Sequence, residues 1–60
     1  MRDIKVKAAR GGWRVWYGEE LISVARDEAG AFQAALDYCS QLFQRGVRAP
    51  VTLDRPALKG

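Results

Sequence analysis

Apolar and cationic residues alternate from Ile4 to Ala8, as Ile4, Lys5, Val6, Lys7 and Ala8. That is the period of two of a strand with one buried face. Gly11-Gly12 follows, and two glycines able to take positive φ predict a two-residue hairpin loop leading into a second strand, Trp13 to Tyr17. A loop there sets Arg10 opposite Trp13, Ala8 opposite Val15, Lys7 opposite Trp16 and Val6 opposite Tyr17. Ile4, Val6, Ala8, Trp13, Val15 and Tyr17 then share one face, and Lys5, Lys7, Ala9, Arg14 and Trp16 the other. A second turn at Gly18-Glu19, with glycine first as a type II′ turn requires, brings in a third strand from about Glu20 to Arg26. It pairs Leu21 with Trp16, sends Ile22 and Val24 to the core, and turns Leu21, Ser23 and Ala25 the other way.

The period then changes. Asp27 is placed as an N-cap, with Glu28 in the first turn, where a carboxylate meets the positive end of the helix dipole. Phe32, Ala35, Leu36, Cys39, Leu42 and Phe43 recur at spacings of three and four and predict one apolar helix stripe, closed by Arg45-Gly46. Val51, Thr52 and Leu53 alternate as a short fourth strand, and Pro50 before it argues for a sheet edge. A right-handed crossover through the helix lays strand four parallel to strand one. The expected fold is therefore α+β: a βββαβ unit of order 4-1-2-3, mainly antiparallel, with one helix on one face. It forms a single domain over residues 1–60, with an ordered core over about 3–54 and a flexible tail over 55–60.

Composition narrows what such a unit can do. Of the 60 residues, 48% are hydrophobic and 28% charged, in the range of ordinary globular chains. A chain this short buries only about 60% of its unfolded surface, so a staple or a partner is expected to help. One cysteine and no histidine exclude an intrachain disulfide and argue against a zinc site or any other cofactor. Self-association, as a homodimer, is the remaining route. No apolar run approaches the ~20 residues that cross a bilayer. Met1-Arg2-Asp3-Ile4-Lys5 also lacks the apolar stretch of a signal peptide, so the expectation is a cytoplasmic protein without membrane contact. The net charge of +3 permits an acidic partner without demanding one.

No catalytic set is legible. Cys39 lies on the apolar stripe without a histidine to activate it. Glu19-Glu20 and Asp27-Glu28 are explained as turn and cap residues, and Gly11-Gly12 leads into a strand where a phosphate loop would lead into a helix. One helix covers one face of a sheet. The other face gathers Lys5, Lys7, Arg14, Trp16 and Leu21, with Ser23 and Thr52. Cations that neutralise phosphate beside a ring that stacks on a base suit nucleic acid. Trp16 and Leu21 equally suit a protein contact, including a homodimer. A solvated face in which Lys7 shields Trp16 through a cation–π contact is the plainer alternative.

Ile4-Lys5-Val6, then Gly12-Trp13-Arg14-Val15, then a strand leading into Asp27-Glu28-Ala29-Gly30-Ala31-Phe32-Gln33-Ala34-Ala35 resembles the small bacterial proteins of the domain of unknown function 2188 family. The resemblance spans about Ile4 to Leu53 and implies a ββ(β)αβ fold without implying an activity. Three strands before a helix are also similar to the DNA-binding domains of plant ethylene-response factors and to phage-type integrase arms. That likeness implies a sheet face in the major groove and favours Lys5, Lys7, Arg14 and Trp16. The same order is similar to antitoxins of the HicB type, as in mobile elements, which implies a regulatory protein with a protein partner.

Overall fold

A computed structural model describes residues 2–54. The expected flexible tail over 55–60 lies outside the described residues. Strands β1 (Ile4–Ala9), β2 (Gly12–Tyr17) and β3 (Glu20–Ala25) precede helix α1 (Glu28–Gln44), and β4 (Val51–Asp54) follows it. The sheet runs β3-β2-β1-β4, antiparallel except for the parallel β1–β4 pair, so the α+β order 4-1-2-3 is the observed one. β4 joins at the edge, where the Ile4 amide donates to the Pro50 carbonyl at 2.9 Å. α1 packs on one face and touches all four strands, chiefly β1 and β2.

The first hairpin differs from expectation in a way that leaves its faces intact. Its loop is Arg10-Gly11, so Ala8 pairs with Trp13, Val6 with Val15, Lys5 with Trp16 and Ile4 with Tyr17. Moving the loop by one residue shifts each partner by two, and a shift of two keeps every side chain on its side. The two glycines have separate duties. Gly11 takes φ 80, whereas Gly12 lies so close to β3 that a Cβ there would stand 2.6 Å from the Ala25 carbonyl oxygen. Gly18, at φ 63, is the first central residue of the second turn and Glu19 has no positive φ, as in the expected type II′ pattern.

β3 departs further. Trp16 pairs with Leu21, but Val15 pairs with Ser23, so a bulge inserts Ile22 between them. One extra residue reverses the alternation beyond it. Val24 therefore comes opposite Arg14 on the helix-free face and is 64% exposed, while Ser23 and Ala25 stand opposite the inward Val15 and Trp13. This corrects the expectation that placed Val24 in the core and Ser23 and Ala25 outside it.

At the helix start, the Asp27 Oδ1 accepts the Gly30 amide at 2.8 Å. At its end Arg45 is the cap residue and Gly46 takes φ 82. The Val47 amide donates to Leu42 and the Gly46 amide to Phe43, the two bonds of a Schellman motif. The buried line is Ala31, Ala35 and Leu42, with Ala34, Tyr38 and Cys39 beside it; it meets Ile4, Val6, Val15 and Ala49. The expected stripe is thus rotated, leaving Phe32, Leu36 and Phe43 exposed. Alanine lets the helix backbone approach the sheet closely, whereas phenylalanine at the same positions would hold it off. Tyr17 and Trp13 pack at the rim of this core, Tyr17 edge-on to Tyr38 with ring centroids 5.5 Å apart.

Two substitutions test this account. Gly12→Ala drives a methyl into the Ala25 backbone and is expected to cost about 1–3 kcal/mol. Asp27→Ala removes the cap and is expected to cost about 1 kcal/mol. Chemical denaturation should show both losses at unchanged m-value; a neutral Gly12→Ala would contradict the close β2–β3 approach.

Candidate functional site

The sheet face away from α1 is built by the strand register alone. One row across it runs Leu21, Trp16, Lys5, Thr52, and the next runs Val24, Arg14, Lys7, Asp54. All five residues expected to form a site, Lys5, Lys7, Arg14, Trp16 and Leu21, are therefore neighbours in two adjacent rows. They lie on odd and even positions of different strands, and the hairpin turns bring them to one side.

The face has two characters. Leu21, Trp16 and Val24 make an apolar end at β2 and β3, with Leu21 46% and Val24 64% exposed and Trp16 half-buried. Lys5, Lys7 and Arg14 make a cationic centre, all exposed. Their charged groups have no hydrogen-bond or ion-pair partner among the described residues. Asp54 opposes Lys7 at the β4 edge, and the Thr52 hydroxyl donates to the Ile4 carbonyl at 3.5 Å. Among the described residues no cation–π contact joins Lys7 to Trp16: the register sets Lys5 opposite Trp16, and Arg2 lies over a ring, 5.5 Å from the Tyr17 centroid.

Val24 and Asp54 are members of this face that the sequence pattern missed. A bulge leaves no mark in hydrophobic alternation, since Ile22, Val24 and Ala25 fit either parity. Asp54 became assignable only once the β1–β4 register was fixed. Two other residues weighed for chemistry are engaged within the fold. The Asp27 carboxylate is engaged in the helix cap, and the Cys39 thiol donates to the Ala49 carbonyl at 3.5 Å. Among the described residues no helix is long and apolar enough to cross a membrane.

Comparison with family models, with curated proteins and with solved structures gives no match to this chain. The functional reading therefore rests on the face itself.

Side chains placed in solvent without partners should be dispensable for folding. Lys5→Glu combined with Lys7→Glu is expected to change unfolding free energy by no more than about 0.5 kcal/mol. A large loss on thermal or urea unfolding would show that these lysines serve the fold instead.

Proposed function

We propose that this chain is a non-enzymatic binding module that takes nucleic acid on its helix-free sheet face. The carrying observation is the pair of adjacent rows that sets Lys5, Lys7 and Arg14 around Trp16, with the three cations exposed and unpaired among the described residues. Phosphates would be neutralised by the cations, with release of counterions, while an unpaired base stacks on the indole. Besides the cations and the Trp16 indole, the polar groups of these two rows are only the Thr52 hydroxyl, which donates to the Ile4 carbonyl, and the Asp54 carboxylate at the β4 edge, so the expected mode is sequence-tolerant, with single strands preferred. The resemblance to the domain of unknown function 2188 family adds no activity to this reading, and a cytoplasmic location accords with it.

A second reading has an observation of its own. The bulge adds Val24 to Leu21 and Trp16, and three neighbouring apolar side chains at one end of a face favour a protein contact, as in a regulatory or antitoxin-like partner.

Titration of tryptophan fluorescence with mixed-sequence oligonucleotides separates the two. Saturable quenching is expected, with log K falling against log salt at a slope of about −2 for three single-strand phosphate contacts. Trp16→Phe should remove the quenching and leave Trp13 emission unresponsive, and Lys5→Glu with Lys7→Glu should abolish binding. A flat titration at low salt would overturn the nucleic-acid reading and leave the protein-contact one.

A further inference from the structure

α1 carries a second apolar stripe that is partly exposed among the described residues. Phe32, Leu36, Cys39 and Phe43 follow one another at spacings of four, three and four, so they lie along one side of the helix. Phe32, Leu36 and Phe43 are 41%, 43% and 65% exposed. This flank overlooks the chain that leads into β4. A groove of about 310 Å³ lies between Glu28, Ala29, Phe32 and Leu53. A second, of about 330 Å³, lies between Cys39, Phe43 and the segment from Val47 to Pro50. With Val47 and Leu53, 37% and 36% exposed, the flank leaves roughly 400 Å² of apolar surface in water, taking ~200 Å² for a fully exposed large side chain. A stable interface buries ~800 Å² per partner, somewhat over half of it apolar, so this flank approaches the apolar core that a dimer needs.

We propose that two copies of the chain associate through this flank as a symmetric dimer with antiparallel helices. Self-pairing is favoured first by the spacing, because four-three-four reads the same in both directions. A two-fold axis near the middle of the stripe sets Phe32 of one copy against Phe43 of the other and Leu36 against Cys39, each contact made twice, as an isologous interface requires. The two-fold brings the groove beside Phe32 of one copy to the groove beside Phe43 of the other. Along the stripe itself Gln33, Ser40 and Gln44 are neutral. Pairing centred on Lys5, Lys7 and Arg14 of the open sheet face would instead set these cations against one another. The flank dimer leaves those side chains in water, so it stands independently of the nucleic-acid reading.

Sedimentation equilibrium of the full chain up to roughly 100 μM tests this, a concentration at which a micromolar dimer is the main species. The expected mass is twice the 6.7 kDa of one chain. Phe43→Lys should keep the helical circular dichroism, since a cation suits the last turn of a helix, yet weaken the dimer by roughly a hundredfold. Leu36→Gln should weaken it in the same direction, so that a folding fault in one variant does not decide the result. Lys5→Glu with Lys7→Glu should leave the dimer intact. A wild-type chain of single mass throughout, a dimer that survives both helix variants, or one lost only on changing the open face would each overturn the proposal.

Discussion

The approach of α1 to the sheet is set by Ala31 and Ala35, both fully buried in one cluster with Ile4, Val6 and Val15. Small side chains at the contact let the helix backbone sit low over β1 and β2, and with so thin a core each methyl group counts. The orientation that puts the alanines down also determines what stays up. Phe32, Leu36 and Phe43 are carried to the flank above β4, and among the described residues no helix covers the opposite face of the sheet. Both surfaces argued to bind something are therefore consequences of one packing choice.

The sheet adds a second constraint. Hairpin turns fix which residues face each other, and the bulge at Ile22 changes the parity of β3 alone. Before the bulge Leu21 stands beside Trp16; after it Val24 stands beside Arg14, so the helix-free face acquires an apolar end and a cationic centre. Gly12 belongs to the same device, since the carbonyl of Ala25 comes too near for any side chain there. It is this division of the face on which the proposed binding of a base at one end and phosphate at the other rests.

Much of the fold is legible in residues 4–54. Alternation in β1 and β2, the Asp27 cap, the Gly46 closure and the edge position announced by Pro50 all follow from local chemistry, and the strand order is the expected one. That Lys5, Lys7, Arg14, Trp16 and Leu21 share one face was also legible, because a loop displaced by one residue conserves the faces of a hairpin. Two features were not. Hydrophobic period identifies a helix but weights large side chains, so it pointed to Phe32, Leu36 and Phe43 where close approach demanded alanine. The bulge in β3 depends on how Ile22 fits the core, which no periodicity encodes.

The helix-free face and the helix flank make separate demands on a binding measurement, and amide shift mapping by nuclear magnetic resonance reads both at once. Adding a short single-stranded oligonucleotide to the labelled chain at low salt should move the amides of Lys5, Lys7, Arg14, Trp16 and Leu21 and the Trp16 indole signal. Phe32, Leu36 and Phe43 should stay in place. Shifts confined to α1, or no shifts at saturating oligonucleotide, would contradict the assignment of the open sheet face as the binding surface.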